Sequence, residues 1–336
     1  MSEISPLRFT TLRFGRNDTT IMKLYIKIVI LCLALLLLFS CASQRNDIKY
    51  PKDIEKINLS NQNLKRIPRS IKRYKNLVLL DLEHNQIKHI PRFIEKLDSL
   101  RSLDLNYNHL KLSKSDIKHA SKVKKLSIGA NDIKELPENI GILQCTNLNL
   151  GKNKLSSLPA SFADLKQLKH LIFYENWFEI IPIEIENLDS LEHLDFYKNK
   201  LKEVPDFIGN FENLKYLYLS YNEIETLPDT MRNLKKLTYF YVHHNKIVTL
   251  PDWIVKLDSL ERLGVGYNKL ISMPDMSEMP ALIELNCEGN LLEEFPWKLV
   301  FKPGMQMLIV RDNMFELSDE EIEFLQQHQG MPLIVP

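Results

Sequence analysis

From Ile54 onward the apolar residues fall into one recurring phrase: L-x-x-L-x-L-x-x-N-x-L, followed by x-x-L-P-x-x-I-x-x-L. The first half of each unit alternates. In one of them Leu214, Leu217 and Leu219 turn inward while Tyr216, Tyr218 and Ser220 turn outward, the pattern of a short strand with one buried face. The second half, such as residues 227–234, places apolar side chains three and six positions after its proline. That spacing predicts a single helical or 3-10 turn, with the proline ring pre-setting its first residue.

The closing Asn falls at Gln62, Asn85, Asn108, Asn131, Asn153, Asn176, Asn199, Asn222, Asn245, Asn268, Asn290 and Asn313. Nine of the eleven intervals are 23 residues and two are 22, so the register never slips. A ladder of prolines keeps the same phase from Pro68 to Pro296, except in the third unit, where Lys114 stands in place of Pro. A carboxamide carries two donors and an acceptor, so stacked Asn can satisfy backbone groups where the chain turns inward. A unit this short buries its apolar edge only against its neighbours, so all twelve are predicted to form one stacked domain.

These residues identify the chain as resembling the leucine-rich repeat (LRR) proteins, over about four fifths of its length. The 23-residue unit with "LP" is similar to the LP-type variant found in Ras-binding and bacterial intracellular LRR proteins. The resemblance implies an α/β repeat solenoid: a right-handed horseshoe, a concave parallel sheet of about 12 strands, and short helical or 3-10 segments on the convex side. We expect twelve repeats over 54–317 and a C-terminal cap over 318–336. Ser318 and Glu321 form a capping-box pattern ahead of Ile322, Phe324 and Leu325, which predicts a final amphipathic helix over 318–328.

The N-terminal segment reads differently. Residues 28–39 are an unbroken apolar run, preceded by Lys23 and Lys27 and followed by small residues. Twelve residues of helix span about 18 Å, short of a bilayer core of about 30 Å. A basic flank, a short apolar run and a small-residue end describe a secretory signal over 1–40, for which Met22 gives a compact start. Leu38-Phe39-Ser40-Cys41 resembles the lipobox of bacterial lipoproteins. That resemblance implies lipidation of Cys41, a tether and N-terminal cap over 41–53, and an exported, membrane-anchored protein.

Composition excludes several classes. With 44 Lys+Arg against 43 Asp+Glu, the chain lacks the charge of a dedicated nucleic-acid binder. Four cysteines in 336 residues do not build a disulfide scaffold. Cys145 and Cys287 occupy Leu positions six repeats apart and are expected to be buried filler. No P-loop, nucleotide fingerprint, nucleophile elbow or zinc spacing is present, so a non-enzymatic protein without cofactor or metal is expected. Charge is divided along the chain: residues 41–159 carry 23 Lys+Arg against 12 Asp+Glu, and residues 160–336 carry 16 against 29. The basic cluster from Lys65 to Lys75 adjoins the expected anchor and suits an anionic membrane surface.

The outward strand positions carry the candidate chemistry. In the sixth to ninth units they form three columns: His170, His193, Tyr216, Tyr239; Ile172, Asp195, Tyr218, Tyr241; and Tyr174, Tyr197, Ser220, His243. Tyr221, His244 and Tyr267 lie just beyond. Eight of the twelve tyrosines fall in this neighbourhood, while the matching positions of units three to five are small or polar. Tyrosine offers a rigid apolar face with a polar tip, the profile of an interface anchor. A cross-strand aromatic ladder that only stabilises the sheet gives the same pattern. The recognition reading takes Tyr174, Tyr197, Tyr216, Tyr218, Tyr239, Tyr241, His170, His193, Asp195 and His243 as a surface for a protein or peptide. A cell-wall glycan on the same rings, or a role as an intracellular signalling scaffold, are the alternatives. The histidines predict binding that responds to pH between about 6 and 7.

Overall fold

In a computed structural model, the described residues are 53–327 and 333–335, with side chains to 325. The expected signal, the lipidation site Cys41 and nearly all of the 41–53 tether lie outside them. The strands of the first half are β1 (Lys56–Asn58), β2 (Leu79–Asp81), β3 (Ser102–Asp104), β4 (Lys125–Ser127), β5 (Asn147–Asn149) and β6 (His170–Ile172). Those of the second half are β7 (His193–Asp195), β8 (Tyr216–Tyr218), β9 (Tyr239–Tyr241), β10 (Arg262–Gly264), β11 (Glu284–Asn286), β12 (Met307–Ile309) and β13 (Leu333–Val335). Each has three residues, and each pairs in parallel with the next along one sheet in sequence order. The pattern anticipates the first twelve strands. β13 pairs with β12 beyond the last ladder Asn, in a segment with no repeat signature.

Why the strands are so short follows from what surrounds them. From β2 to β12 the middle residue points into the coil and is buried, as Leu171, Leu194, Leu217, Phe240 and Leu263 are; Ile57 of β1 is half-buried. In β6–β9 the middle residue's two neighbours point out and are half-buried by adjacent strands. After the strand the chain turns, and the residue before each ladder Asn takes a left-handed backbone. This holds twelve times, from Asn61 to Asp312, with φ between 51 and 63°. Eleven of the twelve are not glycine, at a cost of about 1 kcal/mol each. From Asn61 to Gly289 the turn recovers a hydrogen bond to the next coil: the N–H groups of Tyr221, His244 and Tyr267 donate to the carbonyls of His243, Gly266 and Glu288 at 2.7–2.9 Å.

The Asn ladder works as its chemistry requires. Asn176 Nδ2 donates to the carbonyls of Leu150, Phe173 and Tyr174 at 3.0–3.3 Å, and its Oδ1 accepts the N–H of Leu155 at 2.9 Å. Asn222, Asn245 and Asn268 repeat the arrangement. Gln62, at the ladder's first position, is exposed and reaches only the Ser60 carbonyl.

The convex segments are 3-10 turns opened by Pro68, Pro91, Pro159, Pro182, Pro205, Pro228 and Pro251. Where Lys114 replaces proline, the turn lengthens into α1 (Lys114–Ala120). Ser113 caps it, with the Ser113 side chain accepting from the Asp116 N–H and Asp116 accepting from the Ser113 N–H. These turns are bulkier than strands about 4.8 Å apart, so the coil bends with the sheet on its concave side. Beneath the sixth and seventh strands Phe162, Phe173, Phe178 and Phe196 pack ring to ring at 5.0–6.0 Å. They fill the coil beneath that part of the sheet.

At the C-terminal end α2 (Trp297–Val300) and α3 (Asp319–Gln327) close the stack. The Ser318–Glu321 box forms, with Ser318 N–H donating to Glu321 Oε2 at 2.8 Å. Phe324 meets Trp297 and Phe301 at ring distances of 6.3 and 6.0 Å, while Ile322 stays largely exposed.

Candidate partner-binding surface

The parallel register assembles the predicted columns. His170, His193, Tyr216 and Tyr239 pair in sequence across β6–β9, and the column ends at Arg262. Ile172, Asp195, Tyr218 and Tyr241 form the second column, which ends at Gly264. The leucines and Phe240 between them fill the coil interior, so the tyrosine rings stand on the opposite, outward face.

The rings touch one another laterally. Tyr218 and Tyr241 stack at 5.5 Å with 8° between planes. Tyr216 meets Tyr239 edge-on at 5.1 Å, and His193 packs against both Tyr216 and Tyr218. Arg262 lies over the Tyr239 face at 5.1 Å and pairs with Glu284. This mutual cover leaves the rings half-buried.

A second aromatic row comes from the left-handed turn. Tyr221, His244 and Tyr267 stack at 4.1 and 4.2 Å, nearly parallel. Tyr221 and Tyr267 are 43% and 37% exposed, more open than the strand tyrosines. In the sequence pattern these three residues lie just beyond the predicted columns, outside the expected site. Their 23-residue spacing was the available signal. What gives them their direction is the left-handed turn, which no residue preference reveals.

Between the two rows lies a hollow of about 520 Å³, lined by Asp195, Tyr197, Tyr218, Ser220, Tyr221, Tyr241, His243, His244, Tyr267, Asn286 and Glu288. Five of the ten predicted site residues line it. Tyr216, Tyr239, His170 and His193 belong to the adjoining first column, and Tyr174 stands at the edge over Gly151. Ser220 is not a free outward group: it is 4% exposed, and its Oγ accepts the His243 N–H at 3.0 Å.

The electrostatics correct one expectation. Burial lowers His193 and His243 to about 4, and it lowers His170 and His244 as well. His193 and His243 therefore stay neutral across pH 6–7, where they were expected to titrate. The His243 ring instead accepts the Gly266 N–H on Nδ1 at 3.1 Å. Burial raises Asp195 to about 6, opposed by the Tyr197 N–H that its Oδ1 accepts at 2.8 Å. Burial also raises Tyr218 to about 12. The group that titrates near pH 6 in this surface is a carboxylate.

Among the described residues, no three His, Cys, Asp or Glu side chains converge where a metal could sit. Cys145 and Cys287 are buried and unpaired, and burial pushes both thiols up to about 12.

Comparison with known proteins agrees with this architecture. Residues 99–208 match the family described as leucine-rich repeat region, and residues 52–110, 198–247 and 213–270 match the leucine rich repeat. No curated protein matches the chain. Among solved structures, an LRR protein of Leptospira interrogans is 33% identical, with a TM-score of 0.77 over 84% of this chain and 72% of that one. The Arabidopsis receptor kinase HAESA, solved with the peptide hormone IDA and the co-receptor SERK1, is 25% identical. Its TM-score is 0.63, over 77% of this chain and 45% of that one. An internalin of Listeria monocytogenes shares the fold at 19% identity, with a TM-score of 0.58 over 80% and 88% of the two chains. On the strength of the phased ladder, the single parallel sheet and these matches, the chain belongs to the leucine-rich repeat family.

Proposed function

We propose that this protein is a non-enzymatic recognition module, exported and held on a bacterial membrane by a lipid on Cys41. It binds a protein or peptide on the aromatic part of its concave sheet. The observation that carries the reading is the 520 Å³ hollow, walled by two rows of mutually stacked aromatic rings. A preformed surface of tyrosines buries apolar area on binding with little ordering cost. The plant receptor HAESA was solved with a peptide hormone, which supports a peptide as the class of ligand. For the anchor, the support is the signal-like segment of the sequence and the exposed basic residues Lys65, Arg66, Arg69, Lys72, Arg73 and Lys75 in the first repeats. Acyl chain and basic surface together make a two-signal anchor.

The test of the surface is selection of peptides from a displayed random library on the wild-type chain, with a glycan array in parallel. The doubly substituted Tyr218→Ala, Tyr241→Ala chain is the counter-screen. We expect selected peptides to lose at least about tenfold in affinity on the variant while its thermal melt stays cooperative. Unchanged peptide affinity removes the patch as the site. Binding confined to the array replaces the peptide by a glycan. The anchor is tested by palmitate labelling and mass spectrometry of the mature N-terminus, with Cys41→Ser as control; an unlabelled Cys41 ends that part of the proposal.

A further inference from the structure

Among the described residues, four of the rings that border the hollow have no cation over them. Elsewhere on the surface the protein covers its own aromatic faces: Lys152 lies over Tyr107 at 5.4 Å, Lys200 over Trp177 at 5.9 Å, and Arg262 over Tyr239 at 5.1 Å. Among the described residues no Lys or Arg does this for Tyr197, Tyr218, Tyr221 or Tyr267, and none lines the hollow.

The carboxylates point the same way. Glu288, at one end, is already engaged by Arg311 and Asn286. Asp195, at the other end, takes one hydrogen bond from the Tyr197 N–H and has no ion pair among the described residues. That backbone bond has a structural role, since Asp81, Asp104, Asn149 and Asn286 accept the same N–H two residues on. Asn performs that role without charge at two of these positions. The charge of Asp195 is therefore surplus to it, in a partly buried place where a lone carboxylate is costly.

Resting on the peptide-binding reading above, we propose that the hollow is a site for an organic cation: the ammonium or guanidinium end of a Lys or Arg side chain of the bound peptide. The parts of the Tyr218 ring left uncovered by Tyr241 and His193, and of the Tyr221 ring left uncovered by His244 and Tyr197, hold it, with Asp195 as the counter-charge. Ring quadrupoles attract a cation over their faces, and the attraction grows as water is excluded. The histidines of the hollow do not oppose it, because burial holds His243 down to about 4 and lowers His244. The surrounding half of the chain, residues 160–336, carries 16 basic against 29 acidic residues, so a cation approaches a field of the right sign.

The experiment is saturation-transfer NMR on the purified chain at pH 7.5. The probes are Nα-acetyl-lysine amide, Nα-acetyl-arginine amide, Nα-acetyl-norleucine amide, Nα-acetyl-glutamate amide and tetramethylammonium. We expect transfer to the lysine and arginine probes that exceeds the norleucine and glutamate signals. We expect Asp195→Asn, which keeps the acceptor for Tyr197, to weaken it several-fold, and Tyr218→Ala to abolish it, both with cooperative melts. Equal transfer to norleucine, a stronger glutamate signal, or an unaltered signal in Asp195→Asn overturns the proposal. Preference for tetramethylammonium over the lysine probe overturns the assignment to a peptide side chain. The two readings separate cleanly. Peptides that need the patch but tolerate replacement of every Lys and Arg by norleucine leave the surface standing and remove the cation site. Probes that bind the hollow without displacing a selected peptide do the reverse.

Discussion

The imidazole of His243 lies over Gly264: a Cβ at that glycine would collide with His243 Nε2 and Cε1. Tyr174 lies over Gly151 and Tyr267 over Gly289 in the same way. The bare backbone of one coil is thus the bed on which a ring of its neighbour rests. The aromatic column stops at Gly264 because a side chain there would displace the ring that shapes the hollow. Gly264→Ala is therefore expected to strain the Gly266 N–H to His243 Nδ1 bond and cost about 1 kcal/mol of stability. Its larger effect should fall on ligand affinity. Urea unfolding and peptide affinity, measured on the same preparation, check this; a variant with unchanged affinity shows that His243 does not shape the site.

The ladder makes a sharper prediction about stability. Asn176 serves three carbonyls and one N–H in the interior, and its removal leaves them without partners or water. Asn176→Leu is expected to cost about 3–5 kcal/mol, because each buried unpaired group carries a desolvation penalty of about 1–3 kcal/mol and relaxation recovers part of it. Gln62→Ala, at the exposed start of the same ladder, is expected to change stability by less than about 0.5 kcal/mol. Urea midpoints of the two variants test the difference, and equal losses would mean that the ladder is not what holds the coils in register.

How far the sequence disclosed this follows from what periodicity encodes. Period two and the Asn and Pro ladders specify which residue of each coil is inside, and the first twelve strands, the 3-10 turns and the columns of tyrosine follow from it. The left-handed residue before each Asn is invisible to composition. Ala130, Lys152, Glu175 and Tyr221 all occupy it, held by a hydrogen bond to the next coil rather than by a preference of their own. That is why the Tyr221–His244–Tyr267 wall went unrecognised as part of the site. The neutrality of His193 and His243 was hidden for a related reason. It comes from rings contributed by neighbouring coils, a density that one strand's sequence does not state.

The interior cysteines should be chemically silent. The thiolate is the reactive form, and burial pushes both Cys145 and Cys287 up to about 12. They lie six repeats apart, about 29 Å, beyond disulfide reach. Iodoacetamide at pH 8 is expected to leave both peptides unmodified in the native chain and to label both in urea, read by peptide mapping. Labelling of Cys287 without urea would show that the last repeats open locally under native conditions.

Asp195 gives the pH dependence its sign. Its folded value, raised from 3.8 to about 6, means that the fold prefers the protonated carboxyl. The stability this group contributes is complete below about pH 4 and is lost as pH rises through about 6. The groups facing it do not blur the step. Tyr174, two residues past β6, and Tyr218 on β8 are both raised and neutral, His193 on its own strand stays neutral to about pH 4, and Lys198 pairs with Glu175. Asp104 also rises to about 6, but it is four strands away and common to both proteins, so the difference isolates Asp195. Asp195→Asn is expected to be more stable than the wild type by about 1–2 kcal/mol at pH 8, after discounting for partial exposure, and no more stable at pH 4. Ligand affinity should move oppositely. A cation held by this carboxylate binds more tightly as pH rises from 5 to 7, whereas a site governed by histidines that repel the cation when protonated would keep that trend in Asp195→Asn. Affinity against pH for both proteins decides: loss of the trend in Asp195→Asn assigns it to the carboxylate, and its persistence returns it to the histidines.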